Sequence, residues 1–173
     1  LFIAVGVILA IYLVLLLIRN LNASQNAVRM NTETTTQERV FDYADKLTSQ
    51  EEEKLRTLIE KRQKQTGCDI VLVTLDESLK EYAKGYEASL GYLEVNEYVC
   101  VYADNFYDEH KFGFDKAYGD GVVYVDNWGR EEDGYRYTWL STSGKVQEKY
   151  TDARINNLID QVIDQTNDNP YRA

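Results

Sequence analysis

The first eighteen residues constrain this chain most. Leu1 to Ile18 (LFIAVGVILAIYLVLLLI) carries no charge, and Tyr12 is its only strong hydrogen-bonding side chain. As a helix rising ~1.5 Å per residue the run spans roughly 27 Å, close to the ~30 Å hydrocarbon layer of a bilayer. Lipid cannot satisfy a bare backbone N–H or C=O, so a helix is the form such a run takes there. A cleaved signal peptide has a shorter apolar stretch, ~7–15 residues, ending at small residues. Here the run is longer and stops at Arg19-Asn20, although Ala23 and Ala27 leave room for a cut. The expectation is an uncleaved transmembrane anchor over residues 1–19, single-pass, in the cell membrane. Arg19 and Arg29 follow it and argue for a cytoplasmic domain. The chain starts at Leu1 and not at Met, so residues ahead of it are expected, and their charges enter the same balance.

Residues 20–38 are polar, with Thr-Glu-Thr-Thr-Thr at 32–36, and read as a flexible tether. The domain is expected over 39–173. Lys and Arg number 19 against 29 Asp and Glu, a net charge of -10. That balance excludes general nucleic-acid binding, whose footprint is basic. Two cysteines (Cys68, Cys100) and one histidine (His110) cannot supply the four N/S ligands of a structural zinc site.

Past the tether, helical and strand patterns alternate. Thr48 with Glu51, or Ser49 with Glu52, offers a capping box, and Leu55, Leu58 and Ile59 follow at helical spacing. Gly67 is a C-terminal stop, which predicts a helix over about 49–65. Asp69 to Leu75 (DIVLVTL) is apolar on both faces and predicts a strand covered from both sides. Glu77 to Ser89 reads as a helix, and Val95 to Tyr107 fits helix or strand. Gly121 to Asp126 predicts a second strand, Tyr135 to Thr142 a hairpin return, and Thr151 the cap of a last helix. The sum is a small α/β sandwich.

Four segments resemble the TPM domain family. They are Arg39 to Thr48 (RVFDYADKLT), Thr66 to Leu75 (TGCDIVLVTL), Tyr102 to Asp108 (YADNFYD) with Phe112-Gly113-Phe114 and Asp120 to Asp126, and Ser141 to Lys145 with Tyr150 to Ile155. The resemblance covers about 39–166. Glu77 to Val101 is longer than the family's usual link and reads as an inserted helix. The family often continues into another helix beyond Ala173, so truncation is expected there. The resemblance implies a three-layer α/β/α sandwich with a small mixed sheet, usually extracytoplasmic. Members have been linked to acid phosphatase action, calcium binding and the support of membrane complexes.

Candidate chemistry rests on carboxylates. With the first two strands parallel and joined by a crossover, Asp104 and Asp108, one helical turn apart, come toward Asp115 and Asp120. The antiparallel return of the third strand brings Asp152 to the same edge. Asp104, Asp108, Asp120 and Asp152 could thus converge as a Ca2+ site, since calcium takes six to eight hard oxygen ligands in loose geometry. Each also has a plainer role as a helix-terminus, turn or solvated residue, and no dense calcium loop is present. Ser141 to Ser143 beside Gly144 and Lys145 could hold an anion or simply end a strand. Cys68 and Cys100 are expected in the core and His110 at the surface. Tyr98, Tyr102, Tyr135 and Tyr137 line either an exposed aromatic face or the underside of the crossover helix. The expected function is a membrane-anchored accessory domain that binds a divalent cation and supports a membrane-protein complex. A metal-dependent acid phosphatase is the alternative.

Overall fold

The computed structural model describes residues 27–150, 153–155 and 157. The expected anchor, the first part of the tether, Thr151 and Asp152 lie outside these residues. Among the described residues no helix is long and apolar enough to cross a membrane.

Helix α1 spans Ser49–Thr66. Of the two capping boxes the spacing allows, the chain uses Thr48 with Glu51. The Glu51 N–H donates to the Thr48 hydroxyl at 3.4 Å, and the Thr48 N–H donates to the Glu51 carboxylate at 2.8 Å. Gly67 closes the helix with φ 62, a left-handed conformation that favours glycine, and donates its N–H to the Gln63 carbonyl at 2.8 Å.

Strand β2 is Asp69–Leu75, with all seven residues buried, as its two-faced apolar pattern requires. Strand β3, Gly121–Asn127, lies parallel to it, and β4, Thr138–Ser143, returns antiparallel. The return begins later than Tyr135 because the Tyr135 carbonyl accepts from the Glu131 N–H within the hairpin loop. Strand β1, Val40–Asp42, pairs parallel to the other side of β2. Three residues are too few for a periodic signal, so no strand is expected there from sequence. The result is a small mixed sheet ordered β1-β2-β3-β4.

The expected Glu77–Ser89 helix forms as two short pieces, α2 (Lys80–Lys84) and α3 (Glu87–Leu90), separated at Gly85-Tyr86. The ambiguous Val95–Tyr107 segment is helical. A 3-10 turn over Val95–Glu97 runs into α4, Tyr98–Glu109. Tertiary burial decides that ambiguity, because Val99, Ala103, Phe106 and Tyr107 all face one way. A short α5, Lys145–Lys149, follows β4, and residues 153–155 and 157 are helical.

Helices cover both faces of the sheet. On one, Ile70, Leu72, Val122, Tyr124 and Leu140 pack with Leu55 and Ile59 of α1, Val146 of α5 and Ile155. On the other, Val71, Val73, Val123 and Val125 pack with Leu79, Ala83 and the buried side of α4. Each fully buried aliphatic side chain contributes ~1.5–3 kcal/mol. The connections β1→β2 and β2→β3 both step one strand in the same direction yet lie on opposite faces. They are therefore of opposite hand, a departure from the strong right-handed rule.

Gly121 starts β3 opposite Asp69. A Cβ there would lie 2.2 Å from the Tyr107 hydroxyl and 2.9 Å from the Asp69 Cβ. Gly121→Ala is expected to cost ~1–3 kcal/mol by overpacking, read as a lower urea midpoint of the full chain at unchanged slope.

Candidate functional site

The N-terminal edge of the parallel strands is organised by one carboxylate. Asp69 has no exposed surface, and six donors converge on its two oxygens. Oδ1 accepts from Arg29 Nη2 at 2.6 Å, Arg39 Nε at 2.7 Å and Gln63 Nε2 at 2.8 Å. Oδ2 accepts from Arg29 Nη1 at 2.9 Å, the Gly113 N–H at 3.0 Å and Arg39 Nη2 at 3.3 Å. Burial alone would raise this carboxyl. The hydrogen bonds from Arg29 and the charge of Arg39 outweigh it and hold Asp69 below the usual carboxylate range.

Each arginine has further partners. Arg39 also donates to the carbonyls of Thr36 and Glu38 and lies over the Phe112 ring at 4.7 Å. Arg29 also reaches the Gly113 carbonyl and lies over Phe114 at 5.1 Å. A carboxylate so fully accepted cannot act as a base or take a metal. It works as a clamp.

The clamp builds residues 27–38 into the domain. The Ala27 N–H donates to the Lys64 carbonyl at 2.7 Å, and the N–H groups of Met30 and Asn31 donate to the Phe114 carbonyl at 3.0 and 3.2 Å. Asn31 gives its side-chain amide to the carbonyls of Lys111 and Gly113. The later part of the expected tether is a strap on the domain surface, so ordered packing begins before Arg39. Between strap and α1 opens a cavity of about 800 Å³, lined among others by Arg29, Arg39, Gln63, Ile59, Lys64 and Phe114.

The opposite edge, where α/β proteins usually bind ligands, is filled by the chain. The loop after β3 folds over the end of β2. Asn127 donates to the Glu77 carbonyl at 2.8 Å, and a Cβ on Gly129 would lie 2.3 Å from that same oxygen. Glu131, itself buried, accepts from Ser78 Oγ at 2.7 Å and the Leu79 N–H at 2.9 Å. Across the end of the sheet Asp42, Thr74, Asp126 and Thr138 form one row. Thr74 donates to Asp42, and Thr138 donates to Asp126 at 3.0 Å.

The carboxylates singled out from sequence are placed as follows. Asp104 sits on α4 and accepts a short hydrogen bond from Ser141 of β4. Asp108 lies one turn on, exposed, its carboxyl raised by partial burial and by the charge of Asp104. These two come together. Asp120 is engaged elsewhere, because its Oδ1 accepts the Lys145 N–H at 2.8 Å and its Oδ2 pairs with Lys145 Nζ at 2.9 Å. Asp115 accepts the Asp120 N–H at 2.6 Å. Asp152 lies outside the described residues. Among those described, no group of three or more His, Cys, Asp or Glu side chains is placed to hold a metal ion.

The Ser141–Lys145 segment is likewise occupied. Ser143 donates to the Tyr118 carbonyl, and Lys145 Nζ also reaches the Gly67 carbonyl at 2.8 Å. Cys68 is buried, its thiol pushed up to about 11, and burial pushes half-buried Cys100 up to about 12. Neither has the thiolate character of a nucleophile. His110, expected at the surface, is half-buried against Phe106 and Phe112, with its Nδ1 2.9 Å from the Phe106 carbonyl. Of the tyrosines, Tyr98 is buried, Tyr102 and Tyr137 half-buried and Tyr135 exposed. They do not form one face.

Sequence reasoning misses the clamp. Its only signal is a charged residue, Asp69, opening an otherwise apolar strand. Its side-chain partners lie 40, 30 and 6 residues away in the chain, and its backbone partner 44.

In comparisons with known proteins, the family model described as TPM domain matches residues 40–173. No curated protein and no solved structure shows significant similarity to the chain.

Asp69→Asn removes the charge but leaves two arginines packed around it, one of them buried. It is expected to cost ~3–5 kcal/mol in urea unfolding of the full chain, the cost of breaking a buried pair. A depressed folded pKa contributes stability above the unfolded value near ~3.9 and loses it as pH falls through the folded value. Acid titration should therefore show a loss of stability below about pH 4 that Asp69→Asn largely lacks.

Proposed function

The chain belongs to the TPM domain family, and we propose that it serves as a membrane-anchored accessory module. Residues 1–18 hold it in a bilayer, the domain stands on the extracytoplasmic side that the family resemblance implies, and it supports a membrane-protein complex by binding. The observation that carries this reading is Arg29. Eleven residues after the apolar run, its side chain is locked onto buried Asp69. From residue 27 on the chain is built into the fold, so at most residues 19–26 lie between the apolar run and the domain. A partner in the same membrane then meets a surface whose orientational freedom is already reduced.

Within this reading the divalent-cation site narrows to Asp104 and Asp108. Partial burial, and after it the charge of Asp104, push the Asp108 carboxyl up, and a Ca2+ between the two would relieve the repulsive part. Asp120 could join only by giving up Lys145. Asp152 stays in the proposed set through its sequence position alone. The rival, a metal-dependent acid phosphatase, would draw its metal from the same pair and needs a cation for the phosphate. Lys145 is held by Asp120 and Gly67, which favours the binding module.

The full chain is expected to float with lipid vesicles and to stay with them through an alkaline carbonate wash. Recovery in the wash would overturn the anchor. In nanodiscs, millimolar Ca2+ should raise the melting temperature over EDTA by several degrees, since a ligand at ~100 times its Kd adds ~2.7 kcal/mol. Asp108→Asn should remove the shift, and an unchanged melting temperature would remove calcium from the reading. Hydrolysis of p-nitrophenyl phosphate that Asp104→Asn abolishes would favour the phosphatase.

A further inference from the structure

The strap over residues 27–31 is inside out. In an extended segment alternate side chains point to opposite sides, and on a protein surface the apolar set normally faces in. Here the inward side chains are Arg29 and Asn31, spent on the Asp69 clamp and on the carbonyls of Lys111 and Gly113. The outward ones are Val28, 79% exposed, and Met30, 69% exposed. The loop against which Met30 docks through the Phe114 carbonyl also turns Tyr118 outward, 51% exposed, with exposed Lys116 two residues before it. Lys64, whose carbonyl receives the Ala27 N–H and whose ammonium shares its charge with Glu60 one turn back, completes the group.

Resting on the membrane-anchored reading above, we infer that this end of the domain lies against the bilayer, with Val28, Met30 and Tyr118 in its interfacial layer and Lys64 and Lys116 at headgroup level. Three observations select a lipid surface as the occupant. Ten Cα-to-Cα steps separate Ile18 from Val28, and at ~3.3–3.6 Å each they reach at most ~36 Å. The patch therefore cannot leave the neighbourhood of a bilayer that holds the apolar run. Its residue types are those that settle at a membrane–water boundary: aliphatic side chains, a tyrosine with its hydroxyl in water, and lysines whose stems lie on apolar surface while their ammonium groups stay hydrated. Charge is also distributed along the same axis. The far edge of the sheet and its loops carry Asp45, Glu77 and Asp133, with Asp76 and Glu132 paired to Lys46 and Lys80, and a headgroup layer with anionic lipids repels the unpaired excess. The acidic end then points away from the membrane, toward partners.

The test uses the full chain with Cys100→Ser, reconstituted in vesicles of phosphatidylcholine and phosphatidylglycerol. A bimane label is placed at Met30→Cys or, on the far hairpin loop, at Tyr135→Cys. Both positions are exposed, so labelling is tolerated, and an unchanged melting temperature confirms it. With quencher-bearing lipid headgroups, the label at 30 should lose most of its emission and the label at 135 almost none. Equal, weak quenching at both positions in chains that float with the vesicles overturns the membrane-apposed face and leaves the anchor intact. Chains that do not float overturn the anchor reading itself. Cross-linking of Met30→Cys copies without lipid quenching assigns the patch to a second copy and overturns the inference.

Discussion

A single buried carboxylate holds the N-terminal half of the structure in place. Asp69 opens the central strand with no water contact, where a bare charge would be untenable. It is tolerated because two guanidinium groups, one amide and one backbone N–H fill its acceptor positions. Each donor comes from a different part of the fold: the strap through Arg29, the entry to β1 through Arg39, the last turns of α1 through Gln63, and the turn after α4 through Gly113. The carboxylate fixes how four segments meet at one edge, something apolar packing, which has no direction, cannot do. A leucine of similar size would fill the space and leave the strap with nothing to dock on.

This arrangement divides the molecule into two ends with different duties. At the far edge, the loop carrying Asn127, Gly129 and Glu131 folds onto residues 77–79 and takes up the crevice in which α/β sheets usually hold a ligand. Glu131 serves there as the acceptor for the N–H group that opens α2, so its burial is compensated by the helix it starts. Asp42 does the same for the turn into α1, accepting the N–H groups of Lys46 and Leu47. The acidic residues at that edge are largely structural acceptors. The freer pair is Asp104 and Asp108, on the side of α4, where one hydroxyl from Ser141 is the partner of Asp104.

The elements legible in the sequence are those whose signal is local. The Thr48–Glu51 box, the Gly67 stop and the two-faced apolar run at 69–75 lie within a few residues of what they specify, and each forms as read. Strand β1 is illegible because three residues carry no period, and α4 is ambiguous because Tyr98 to Tyr102 suits either period until the sheet beneath it is present. The expected convergence of Asp104, Asp108 and Asp120 rests on chain direction, and the structure brings together Asp104 and Asp108 on one helix. Direction alone says nothing of competing partners, and Lys145, 25 residues on, claims Asp120. The Asp69 clamp fails the same way in reverse. Its members are unremarkable alone, and only the closed sheet brings residues 29, 39, 63 and 69 together.

The strap shows why such long-range pairing bears on function. Residues 27–38 have the composition of a linker, and composition sets the stiffness of a free chain. One buried ion pair changes the regime, because once Arg29 is fixed the alternation of an extended backbone decides where its neighbours point. Val28 and Met30 are then turned to solvent by the same geometry that sends Arg29 and Asn31 inward. Exposed apolar side chains arise here as the direct consequence of a polar interior contact. That exposure follows the apolar run by ten positions in the sequence, so the clamp that secures the strap also fixes which end of the domain the preceding chain enters.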